Sequence, residues 1–160
     1  MMGAKVAILM GSVSDSGVMQ ETAKILDDFG VPYDMKVLSA HRTPGPTQQY
    51  AQAAERNGIH VLIAGAGAAA HLAGALAAHS TLPVIGVPLD SSSLGGFDAL
   101  LSTVQMPGGI PVATMAIGKA GARNAGLFAV QILSRSDASL VKKLQAYREK
   151  MRQDILAIEL

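Results

Sequence analysis

The chain predicts an α/β fold in which a central parallel sheet of five strands is covered by helices on both faces. Three observations carry this expectation. Five short apolar runs recur along the 160 residues, segments of helical spacing separate them, and the connections are short. Right-handed crossovers between such strands bring every carboxyl end to the same edge of the sheet.

The elements follow in order. KVAILM (5–10) is a strand buried on both faces, closed by GSVSDSG (11–17). From Val18 to Phe29, Val18, Thr22, Ile25, Leu26 and Phe29 share one helical side, and Gly30 stops the helix. YDMKVL (33–38) is the second strand. Thr43-Pro44 reads as a cap followed by proline at the first helical position, but Gly45-Pro46 moves the expected start toward Thr47. That helix runs to Asn57 and stops at Gly58. HVLIA (60–64) is the third strand, followed by GAGAAAHLAGALAAHS, a small-residue helix able to approach its sheet closely. PVIGV (83–87) is the fourth strand, 88–96 a loop and 97–104 a helix. VATMAI (112–117) is the fifth strand, and helices span 120–133 and 138–155. In the last helix Leu140, Leu144, Tyr147, Met151 and Ile155 recur at helical spacing, so segment 138–160 is expected to pack on the domain or on a neighbouring subunit. Residues 1–160 are read as one domain, because no linker, repeat or low-complexity tract divides them.

Composition narrows the function. Hydrophobic residues make up 49% and charged residues 16%, with a net charge of +1 and no cysteine. Disorder, a basic nucleic-acid face, disulfides and thiolate metal sites are all disfavoured. No apolar run reaches the roughly 18 residues of a membrane span. MMGAKVAILMG is interrupted by GSVSDSG before a signal-peptide layout develops, so a cytoplasmic protein is expected.

Ligands of open α/β sheets bind beyond the carboxyl ends of the strands. The residues there are polar. Gly11, Ser12, Ser14 and Asp15 follow the first strand; Ser39, His41 and Arg42 the second; Gly65, Gly67 and His71 the third; Asp90 and Ser91 to Ser93 the fourth; Gly118 and Lys119 the fifth. GSVSDSG offers hydroxyls and N–H groups at a helix start, suited to a phosphate, although it lacks the lysine of a P-loop. Ser14 or Asp15 equally suits plain helix capping. Asp15 also suits a sugar's hydroxyls, since a carboxylate directly against a phosphate is repulsive. Arg42 supplies a planar fork for a phosphate, Ser39 a hydroxyl, and His41 a side chain able to give and take a proton.

Residues 65–70, Gly-Ala-Gly-Ala-Ala-Ala, also satisfy a dinucleotide fingerprint. That reading makes an oxidoreductase the runner-up. It is discounted because the motif sits in the third βαβ unit and no acidic residue closes the following strand. His60 and His79 read as structural and His71 as a residue able to face the site. No histidine shows metal-ligand spacing, so a metal-free site is expected.

Taken together, MGSVSD, SAHRTP, IAGAGAAAHL, PVIGVP, VQMPGGIPVATMAIGKAG and NAGLFAVQIL resemble the catalytic subunit of phosphoribosylaminoimidazole carboxylase, over about Val6 to Leu133. The resemblance implies a flavodoxin-like three-layer α/β/α sandwich assembled as a homo-octamer. It implies a mutase of purine biosynthesis that converts N5-carboxyaminoimidazole ribonucleotide to 4-carboxy-5-aminoimidazole ribonucleotide without metal, ATP, biotin or other cofactor. By position, Ser12, Asp15 and Arg42 correspond to nucleotide-binding residues, with Ser39 beside them, and His41 to the general acid/base. Gly65, Gly67, Ala68, Ala69 and His71 would hold the carboxylate or an enclosed CO2 near the imidazole ring.

Several positions depart from the family's pattern. Ser16 stands where bacterial members usually carry Trp, Ala68 where Gly is usual, and Asp90 where Gln is usual. A second branch of the family carboxylates aminoimidazole ribonucleotide directly with CO2 and has Ser-rich sequence near 91–93. That branch usually has Lys after the His, and lacks the GAG…AAHL loop, so Arg42 and His71 favour the mutase. A non-catalytic module that senses a nucleotide or phosphate is a third reading.

Overall fold

Strand residues point alternately to the two faces of a sheet, and the first strand uses both faces for apolar packing. In β1 (Val6–Met10) the side chains of Val6, Ile8 and Met10 join one core, and Ala7 and Leu9 join the other. The structure, a computed structural model, describes Gly3 and residues 5–159. The remaining strands are β2 (Tyr33–Val37), β3 (Val61–Gly67), β4 (Val84–Leu89) and β5 (Ala113–Thr114). All pair in parallel in the order β2-β1-β3-β4-β5, the order of a flavodoxin-like sheet. The direction of winding reverses between β1 and β3, which opens a crevice at their carboxyl ends.

Six helices cover the two faces. On one side α1 (Ser16–Phe29), α5 (Lys119–Leu133) and the start of α6 (Ala138–Leu156) pack on Ile8, Ile63, Ile85 and Val87. On the other, α2 (Pro44–Ala54) and α3 (Leu72–His79) pack on Leu9 and Leu62. Beside them lies α4 (Phe97–Val104), whose Thr103 fills the space that a side chain at Gly86 would need. Each fully buried Leu or Ile of these cores contributes about 1.5–3 kcal/mol. α1 and α5 approach closely: a Cβ at Gly126 would lie 2.9 Å from Ile25 Cβ, and Thr22 Oγ1 donates to Ala122 O at 2.7 Å. α1 ends as expected at Gly30, where φ is 68° and the Val31 N–H closes back on Leu26 O at 2.8 Å.

Several boundaries differ from the sequence reading, and four have a clear local reason. β3 runs on to Gly67 because Gly65, Ala66 and Gly67 stay in register with Val87, Pro88 and Leu89. β4 likewise extends through Pro88, whose carbonyl accepts from Gly118 N at 2.9 Å. β5 shrinks to two residues at the edge, with one neighbour to pair with. α2 starts at Pro44, since the chain just before it is already held in place: Thr43 N and Thr47 N donate to Ser39 O and Thr43 O at 2.9 and 3.1 Å.

α6 packs on this chain through its first half. Leu140 is buried, Lys143 Nζ donates to Phe29 O at 2.6 Å, and the Tyr147 and Phe29 rings lie 5.6 Å apart. Met151, Ile155 and Leu156 extend beyond that contact and are exposed. Among the described residues no helix is long and apolar enough to cross a membrane.

Candidate active site

Three loops at the carboxyl edge build the site. After β1, a single 3-10 turn (Val13–Asp15) is closed by a reciprocal cap. Ser12 N donates to Asp15 Oδ2 at 3.0 Å, and Ser14 N donates to Ser12 Oγ at 3.3 Å. Burial pushes the Asp15 carboxyl above its usual range, and the Ser12 and Ser14 hydrogen bonds and the Arg42 charge partly offset that. Capping and cavity lining, which the sequence left as alternatives for this loop, therefore coexist in the same residues.

After β2, Ser39 organises the turn. Its carbonyl accepts from Thr43 Oγ1 and Thr47 Oγ1, at 3.0 and 3.2 Å, and its Oγ accepts from Arg42 N and Arg42 Nε, at 3.2 and 3.4 Å. The Arg42 guanidinium also donates through Nη2 to Gly11 O at 2.6 Å, so its fork spans the first and second loops. One residue earlier, His41 points across the crevice. Its Nε2 lies 2.6 Å from His71 Nδ1, with the rings edge to face. At this separation one of the two nitrogens carries a proton and the other accepts it.

After β3 the chain turns sharply. Ala68 adopts φ 49°, a left-handed conformation, and the N–H groups of Ala70 and His71 close on Ala68 O and Ala69 O at 2.9 and 2.8 Å. This turn carries His71 to the first residue before α3.

The loops enclose a cavity of about 450 Å³. Ser12, Ser14 and Asp15 line it from the first loop, Ser39, His41 and Arg42 from the second, and Gly67, Ala68, Ala69 and His71 from the third. Gly65 is the one expected residue outside the wall. It is buried beneath, where any side chain would run into the thioether of Met19. Ser91 does line the cavity, although the serine run after β4 gives no sign of which hydroxyl reaches inward. A larger hollow of about 660 Å³ lies near the amino edge of the sheet beside Glu55 and His79. It lies away from the strand ends where the polar loops converge, so the smaller cavity is the candidate site.

The glycines of the dinucleotide fingerprint are both occupied by the fold. The space over Gly65 holds Met19, and the space over Gly67 holds the Ser91 hydroxyl. Packing against Met19 and Ser91 thus accounts for both glycines without a pyrophosphate, which weakens the oxidoreductase reading.

The family model described as AIR carboxylase matches residues 5–154. The chain belongs to the AIR carboxylase family. Among its relatives, the N5-carboxyaminoimidazole ribonucleotide mutase of Bacillus subtilis is 58% identical over 94% of this chain and 93% of its own. The mutase of the same name from Pyrococcus abyssi is also 58% identical, over 93% of this chain and 84% of its own. A crystal structure of Treponema denticola PurE superposes with a TM-score of 0.85 at 30% identity, covering 96% of this chain and 94% of that one. Ala68 occupies a backbone conformation that glycine would adopt without strain.

Proposed function

We propose that this chain is an N5-carboxyaminoimidazole ribonucleotide mutase of purine biosynthesis. The observation that carries the reading is the joining, at one strand edge, of an arginine fork tied to two loops and an imidazole paired with a second imidazole. Relatives bearing the mutase name at 52–58% identity support it.

In this reading Arg42, the serine hydroxyls and the N–H groups of the first loop bind the ribonucleotide's phosphate. Asp15 takes the ribose hydroxyls. The base then lies between His41 and the Ala68–Ala69 turn. His41, as imidazolium, gives its proton to the carbamate nitrogen. The N–C bond breaks with its electron pair left on nitrogen, and CO2 is released within the cavity. C4 of the ring attacks that CO2 with its own electron pair, and neutral His41 removes the C4 proton. One proton leaves His41 and one returns, so the reaction is balanced with no further reactant. His71 holds Nε2 of His41, which leaves Nδ1 of that ring for the substrate. Acid–base assistance of this kind is worth about 10²–10⁴ in rate, and holding CO2 against C4 supplies an orientation effect besides.

The same reading takes 1–160 as one domain and places it in the cytoplasm as a homo-octamer. Exposed apolar residues on α4, Phe97 at 66% and Leu101 at 57%, support contact between copies. The reaction is tested by supplying N5-carboxyaminoimidazole ribonucleotide alone, or aminoimidazole ribonucleotide with bicarbonate. Direct conversion of the first to the 4-carboxy product is expected. Productive use of the second alone would make the protein a direct carboxylase instead.

A further inference from the structure

We infer that Ser91 is a substrate-positioning residue whose hydroxyl holds the migrating carboxylate against the third loop. The inference rests on the mutase reading above. β3 and β4 remain paired to Gly67 and Leu89, so Ser91, two residues beyond, stands beside Gly67 at the cavity's edge. The contact is close enough that any side chain at position 67 would occupy the place of Ser91 Oγ. A glycine at 67 is therefore the condition for a hydroxyl at 91 to enter the cavity.

The neighbouring Ser92 differs in use. Its Oγ donates to Asp98 Oδ1 at 2.9 Å and accepts from Leu94 N at 3.2 Å, which folds the loop itself. Among the described residues no group takes the Ser91 hydroxyl in a comparable bond, so it is available to a ligand.

Location assigns that ligand's chemistry. The Arg42 fork and the Ser12 and Ser14 hydroxyls stand on the first two loops, the side suited to phosphate. Ser91 stands with the third loop, where the cavity-lining residues besides His71 are glycine, alanine and leucine. A lone hydroxyl there donates to a carboxylate oxygen of the carbamate and again to the C4 carboxylate. In between it leaves neutral CO2 free to turn, since a neutral acceptor binds the donor more weakly.

The test follows the fate of N5-carboxyaminoimidazole ribonucleotide with Ser91→Ala and Gly67→Ala, the second displacing the hydroxyl without deleting it. For both variants, kcat/KM for the 4-carboxy product is expected to fall about tenfold or more, with a larger share released as aminoimidazole ribonucleotide. The Kd of aminoimidazole ribonucleotide, which lacks the carboxylate, stays at the parent value. A Ser91→Ala variant with the parent's product ratio overturns the inference while the mutase reading stands. A parent protein that does not convert the N5-carboxy compound overturns both.

Discussion

His41 Nε2 and His71 Nδ1 share one short hydrogen bond of 2.6 Å between residues thirty apart in the chain. The β2 and β3 loops meet only because β1 lies between their strands in the sheet, so the pair is a product of topology. The bond fixes the orientation of the His41 ring. Replacing His71 by Phe should lower kcat more than it changes KM, because ring orientation matters at the proton-transfer step. Replacing it by Asn, which can keep a hydrogen bond, should recover part of the loss. Steady-state kinetics on both variants check this; equal losses would assign His71 a packing role.

Arg42 is expected to govern affinity. It donates to Ser39 Oγ and Gly11 O while facing the cavity. Arg42→Ala should weaken ribonucleotide binding by about tenfold to a hundredfold, the range of a lost charge-assisted hydrogen bond. Arg42→Lys should restore little, since one ammonium cannot reproduce the planar fork. Isothermal titration with the nucleotide product measures both.

Ala68 carries a strain that glycine would relieve. A left-handed conformation costs a residue with a Cβ about 1–2 kcal/mol, and the greater unfolded-state freedom of glycine takes back about 0.5–1 kcal/mol of that relief. Ala68→Gly should therefore raise stability by up to about 1.5 kcal/mol, with Tm rising by about 2–4 °C per kcal/mol at this chain length. Thermal denaturation checks the sign. Ala69→Val, by contrast, enlarges the apolar wall and should increase release of decarboxylated product.

Glu21 sets an acid limit to stability. Its carboxylate sits between Lys24 Nζ and Arg123 Nε, each at 2.7 Å, and these bonds draw its pKa from 4.5 down to about 2. A carboxyl with a depressed folded pKa stabilises the fold above its unfolded value. That contribution is lost as pH falls from about 4.5 toward 2. Glu21→Gln should lower stability at neutral pH and flatten the decline across this window. Urea denaturation at pH 7, 4 and 3 measures the change.

Much of the architecture was legible locally. Apolar runs, helical stripes and the stop at Gly30 depend on neighbours in sequence, and they placed five strands and six helices. The errors arose where partners are distant. Gly65-Ala66-Gly67 reads as loop punctuation, yet the β4 register holds it in a strand. Gly65 reads as a ligand contact, yet Met19, forty-six residues earlier, explains it. Ser39, His41 and Arg42 were visible because they crowd one strand end. Ser91 was one polar residue in a run of four, and only its contact with Gly67 separates it from the others.

The central claim is that His41 moves the proton that releases and recaptures CO2. Its most direct test is His41→Asn, with turnover of N5-carboxyaminoimidazole ribonucleotide and nucleotide binding measured on the same sample. The account predicts a loss of turnover of about 10²–10⁴ with the nucleotide Kd unchanged. Turnover at the parent's rate would contradict it.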